Sequence, residues 1–183
     1  MKKTILSIAI IAITCFSCST KNDNFSITKT SVGNLTSTSQ VKDLESIFKT
    51  DSIVKFVPGG EFTTSINEIE IFEKGGSKLL TLTPKTLMDS TSVIKTVQIF
   101  DSRFKTEKGI STLSTFKDIQ DHYKISSIDN LIRSVVISVN EINASFTIDK
   151  EQLPSNLRFD MNLNIEASQI PDSAKIKYFF LNW

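Results

Sequence analysis

Two stretches of this chain, 75 positions apart, carry one pattern. Residues 39–53 and 114–128 align without a gap. Ser39/Ser114, Lys42/Lys117, Asp43/Asp118, Lys49/Lys124, Ser52/Ser127 and Ile53/Ile128 are identical, and Val41/Phe116, Leu44/Ile119 and Phe48/Tyr123 keep their apolar character. Gly33 and Gly109 precede the two stretches with a one-residue slip, and Asp89-Ser90 and Asp172-Ser173 follow them. A chain written twice is expected to fold as two like modules, residues 31–100 and 101–183. The competing explanation is two unrelated helices with a common amphipathic pattern.

Each repeated stretch reads as a short helix. Val41, Leu44, Ile47 and Phe48 recur at one-face helical spacing, as do Phe116, Ile119 and Tyr123. Ser39 and Ser114 are candidate N-caps, or Thr115 with Asp118 as a capping box. Strands follow. Ile66–Phe72 and Lys78–Thr83 alternate around Gly75-Gly76, a hairpin signal. The register places Ile71 opposite Leu80 and Ile69 opposite Leu82 on one apolar face, with Glu70 opposite Thr81 outside; a one-residue slip buries the carboxylates. Val93–Phe100, Ser134–Val139 and Ala144–Ile148 are further strands, Lys150–Leu157 holds a helical turn, and Ile165–Ile170 is a short strand or turn. Lys175–Trp183 is apolar on both faces and is expected to be a central strand covered on both sides. Helix followed by antiparallel meander, twice, is an α+β fold. Each module lacks a staple and is marginal alone, so the two are expected to pack as one unit.

The N-terminus reads as an address. Lys2 and Lys3 precede an apolar run from Ile5 to Phe16, too short to span a bilayer and suited to a signal peptide over residues 1–17. The closing Cys15-Phe16-Ser17-Cys18 resembles the lipobox of bacterial lipoproteins. That resemblance implies cleavage before Cys18 and acylation of its thiol, with Ser17 as the small residue before the cut. Cys15 is the rival site, with Thr14 before it a poorer match. Residues 18–30 read as a polar tether. Ser19 stands where the family's inner-membrane retention signal has Asp, so the resemblance implies the outer membrane; the periplasmic face and the cell surface both stay open. Acyl chains on Cys18 make the bilayer the first partner.

The same helix-and-meander pattern resembles the tandem modules of β-lactamase inhibitor proteins and small outer-membrane-assembly lipoproteins. More closely, Phe104–Ile110 followed by Ser114–Ile119 resembles uncharacterised lipoproteins of Bacteroidota. Neither likeness transfers a binding residue to this chain.

Composition narrows the function. Lys+Arg 21 against Asp+Glu 20 gives a net charge of +1, which offers no basic stripe for nucleic acid. Removing residues 1–17 shifts that to about −1, because Lys2 and Lys3 leave with them. Two Cys and one His leave little for metal, thiol or imidazole chemistry. Both cysteines belong to the address, so the folded body has no internal disulfide and must rely on its core.

His122, between Asp121 and Tyr123, takes the helix position of Ile47 and reads as structural. Glu68 and Glu70 share the wet face of a strand, and with Glu73 do not form a calcium loop. Gly59-Gly60 and Gly75-Gly76 are turns, not phosphate loops. Phe179 and Trp183 share a strand face and are core or module interface, with an exposed docking patch as the alternative. The expectation is a lipid-anchored envelope protein, non-enzymatic and without cofactor, acting through an unknown envelope protein. A small-ligand binder is the runner-up and a carboxylate-dependent hydrolase the third.

Overall fold

The computed structural model describes residues 24–57 and 68–183. In chain order the strands are β1 (Ser26–Ile27), β2 (Ser31–Val32), β3 (Leu35–Thr36), β4 (Ser52–Val57), β5 (Glu68–Phe72), β6 (Lys78–Pro84), β7 (Ile94–Ile99), β8 (Lys105–Thr106), β9 (Ser127–Asn130), β10 (Ser134–Val139), β11 (Ala144–Asp149) and β12 (Tyr178–Asn182). The helices are α1 (Leu44–Ile47), preceded by a 3-10 turn at Val41–Asp43, and α2 (Phe116–His122).

The main sheet has eight antiparallel strands in the order β4-β5-β6-β7-β12-β11-β10-β9. Each module supplies a four-strand meander, and the last strands of the two meanders, β7 and β12, pair at the centre. One row crosses all eight strands: Ile53, Ile71, Leu80, Ile99, Phe179, Phe146, Ile137 and Ile128. A second row runs Ile69, Leu82, Val97, Leu181, Ala144 and Val139. Both rows face inward, and Val41, Leu44, Phe116 and Ile119 from the helical segments join the same buried cluster. The fold is therefore α+β, two tandem modules with one continuous core.

The repeated stretches make matching contacts. Gln40 bridges Val93 in the first module and Thr115 bridges Lys175 in the second. Val41 N–H donates to Ser92 O and Phe116 N–H to Ala174 O; Lys42 N–H donates to Ser90 O and Lys117 N–H to Asp172 O. The downstream match is thus Ser90 with Asp172, one residue from the pairing read off the Asp-Ser motifs. Gly33 and Gly109 both take positive φ, at 54° and 82°.

The hairpin register is as expected for Ile69/Leu82, Glu70/Thr81 and Ile71/Leu80. Near the turn it shifts, so that Phe72 faces Lys78. This bulge lets Leu79 and Leu80 both be buried. The α2 cap is the Thr115–Asp118 box: Thr115 N–H donates to Asp118 Oδ2 at 2.7 Å, and Asp118 N–H to Thr115 Oγ1. Ser39 does not cap the first helical segment; Gln40 holds the cap position of its 3-10 turn and donates its N–H to Asp43 Oδ2.

Three expectations need correction. The polar tether does not extend to residue 30. Residues 18–23 lie outside the described residues, but Ile27 is fully buried and β1 is hydrogen-bonded between β2 and β8. That small sheet, β3-β2-β1-β8, joins the two modules, because β8 lies beyond position 100. Second, β12 is central but not covered on both sides, since Tyr178 is exposed on the outer face. Third, Phe179 cannot be a docking residue: it is wholly buried, with its ring centroid 4.6 Å from that of Phe146.

Candidate functional site

The residues singled out from sequence do not converge. Cys15, Cys18 and Gly59-Gly60 lie outside the described residues. Gly75-Gly76 forms the hairpin turn, with φ of 121° and 110°. Trp183 is half-buried at the end of β12 and donates its indole N–H to Lys29 O at 3.1 Å. Glu70 pairs with Lys78, and Glu73 accepts from Arg103 at 2.9 Å, so these carboxylates are neutralised one by one. Among the described residues no group of His, Cys, Asp and Glu is placed to hold a metal ion.

His122 borders an open cavity of about 440 Å³ together with Arg103, Lys108 and Asp118. Its Nδ1 lies 2.8 Å from Asp118 O, a backbone contact within the helix. The Asp118 carboxylate is committed to the cap, and the N–H of Thr115 holds it below the ordinary aspartate range. The imidazole therefore has a structural partner, and the nearby carboxylate is engaged elsewhere.

A different constellation forms where β9, β10, β11 and β12 end together. Leu131 N–H closes on Ser134 O at 2.9 Å, a tight turn that thrusts Leu131 and Ile132 outward. Opposite, Ser134 faces Asp149, and Lys150 N–H donates to Arg133 O at 3.0 Å. Asp149 caps a 3-10 turn by accepting from Glu151 N–H at 3.0 Å. Its second oxygen accepts from Lys177 Nζ at 2.7 Å. The Lys177 ammonium is the main reason the Asp149 carboxyl sits below its usual range, and Asp149 in turn pushes the lysine up.

The chain then makes a second 3-10 turn, Ser155–Leu157, and Arg158 Nε donates to Leu153 O at 2.8 Å. Asn130 Nδ2 ties the next loop down through Asp160 O and Leu163 O. Between these parts lies a cavity of about 620 Å³ whose walls include Arg133, Lys150, Arg158, Lys177 and Phe159. A neighbouring apolar cleft is lined by Leu131, Ile132 and Met161. Phe159 is 87% exposed and Ile132 71%. Lys150, by contrast, is 3% exposed, and its ammonium has no hydrogen-bond partner among the described residues. Large apolar side chains held in water beside a buried, unpaired cation are a costly arrangement.

Sequence reasoning missed this set. Lys150 sits between Asp149 and Glu151 and reads as wet; only the β10–β11 register buries it. The signal that was available is Leu131-Ile132 at a strand turn and Phe159 in a polar loop, apolar where polar residues are the rule.

Neither a family model nor a curated protein sequence matches the chain. Among solved structures, the crystal structure of the uncharacterized protein YfeY from Escherichia coli is similar, with a TM-score of 0.56 at 12% identity, covering 86% of this chain and 99% of that one. The likeness is one of fold.

Proposed function

We propose that the chain is an envelope lipoprotein, acylated at Cys18 and held at the outer membrane, whose body binds a small amphiphilic ligand instead of catalysing a reaction. The lipobox-like Cys15–Cys18 supports the anchor. The ligand reading is carried by one observation: Ile132 and Phe159 stand exposed at the mouth of a cavity walled by Arg133, Lys150 and Arg158. Apolar rim and cationic wall suit a molecule with an apolar part and an anionic head. The concavity favours a small ligand over a flat protein partner. Of the two carboxylates at the cavity, Asp149 is paired to Lys177, which weakens the hydrolase reading.

The cavity lies at the Lys177 end of β12, and Trp183, bonded to Lys29, lies at the other end. The five residues of β12, Tyr178–Asn182, separate them by roughly 20 Å. The site thus lies at the end of β12 opposite the Lys29 segment.

Native mass spectrometry of the protein extracted from envelopes tests both parts. The expected result is an acylated Cys18 and a co-purifying amphiphile whose occupancy falls in Ile132→Ser and Phe159→Ser. An unmodified Cys18 in the membrane fraction overturns the anchor. A wild-type protein carrying no ligand overturns the binding role.

A further inference from the structure

Building on the amphiphile reading, we infer that the head group it receives is a phosphate monoester, seated against Lys150. Buried ammonium groups are found paired, because leaving one unpaired out of water is costly. Lys150 Nζ is out of water and lacks a partner among the described residues. The neighbouring Asp149 does not serve it: one oxygen accepts from Glu151 N–H and the other from Lys177. Glu151 is exposed. Among the described residues nothing matches the charge, which leaves it open to an anion from outside.

The cavity wall states which anion. It carries four cations, Arg133, Lys150, Arg158 and Lys177, against two carboxylates, Asp149 and Glu151. The excess of two positive charges matches a dianion. Arg133 and Arg158 offer planar N–H pairs suited to phosphate oxygens, and Lys150 supplies a point charge. Phosphate monoesters meet that demand; diesters and carboxylates carry one charge. Phe159 and Ile132 at the mouth then meet the apolar part, which a free phosphate lacks.

The test is calorimetric titration of full-length, lipidated protein in a neutral detergent. The probes are dihexanoyl phosphatidate, inorganic phosphate and uncharged dihexanoylglycerol. Phosphatidate is expected to bind and dihexanoylglycerol not to. Lys150→Met is expected to weaken phosphatidate at least tenfold, while Lys150→Arg keeps it within a few-fold and guards against a folding defect. Phe159→Ser is expected to weaken phosphatidate and leave inorganic phosphate unchanged. Undiminished phosphatidate binding by Lys150→Met overturns the assignment of Lys150. Inorganic phosphate bound as tightly as phosphatidate, with Phe159→Ser silent, overturns the amphiphile in favour of the free ion. If phosphatidate does not bind while native mass spectrometry still finds a ligand lacking phosphate, this inference fails and the proposed function stands.

Discussion

Lys177 Nζ lies 2.7 Å from Asp149 Oδ2, and this pair joins the start of β12 to the end of β11. The same Asp149 caps the 3-10 turn that carries Lys150. Its folded pKa is lowered, so the carboxylate contributes stability above its unfolded value of about 3.8 and loses it as pH falls through the lower folded value. Urea unfolding of Asp149→Asn should therefore differ from wild type at pH 7 and converge with it as pH falls through that lowered folded value. Asp149→Ala also loses the cap and should cost about 1 kcal/mol or more at pH 7. A pH-independent difference between wild type and Asp149→Asn would contradict the ionic part of this account.

Phe179 and Phe146 face each other across β12 and β11, both wholly buried. Either residue changed to Ala should lose about 3–5 kcal/mol in urea unfolding. The double substitution should cost less than the sum of the singles, because the rings are in contact, with a coupling of about 0.5–1.5 kcal/mol. Strict additivity would mean that the centre of the sheet is not packed as described.

Gly33 and Gly109 hold corresponding places before the two helical segments, yet they should not tolerate alanine equally. Both have positive φ, where an L side chain costs about 1–2 kcal/mol. A Cβ on Gly109 meets nothing within 4 Å, so Gly109→Ala should cost only that. A Cβ on Gly33 would lie 2.3 Å from Asn24 O. Backbone must move, and β1 pairs with β2 and β8 just beyond. Gly33→Ala should lose more stability than Gly109→Ala and should speed amide exchange at Ile27. Equal losses would count against the close approach of Asn24.

Where side chains alternate and a turn is marked, the fold is legible in the sequence. Ile69, Ile71, Leu80 and Leu82 pair as their pattern requires. The repeat, too, pointed to equivalent elements, but the caps fall one residue after Ser39 and Ser114, and at α2 the alternative Thr115–Asp118 box forms. The strands β1, β2, β3 and β8 are two residues each, too short to carry a period. The edge strands β4 and β9 were hidden because Ser52-Ile53 and Ser127-Ile128 close the helical repeat. The site was illegible for a different reason. Arg133, Lys150 and Arg158 meet only through strand register and two 3-10 turns, which leave no mark at any one position.

Thr81 offers a last test of the outer face. It stands between Glu70 and Gln98, is 4% exposed, and its hydroxyl has no hydrogen-bond partner among the described residues. An unpaired buried hydroxyl costs about 1–3 kcal/mol relative to a satisfied one. Valine keeps the branched shape and the strand preference while removing the polar atom. Thr81→Val should therefore be neutral or raise the urea midpoint, with an unchanged m value. A loss above about 1 kcal/mol would show that the hydroxyl finds a partner in solution. Water reaching that row would be the simplest source, and the outer face would then be wetter than its burial indicates.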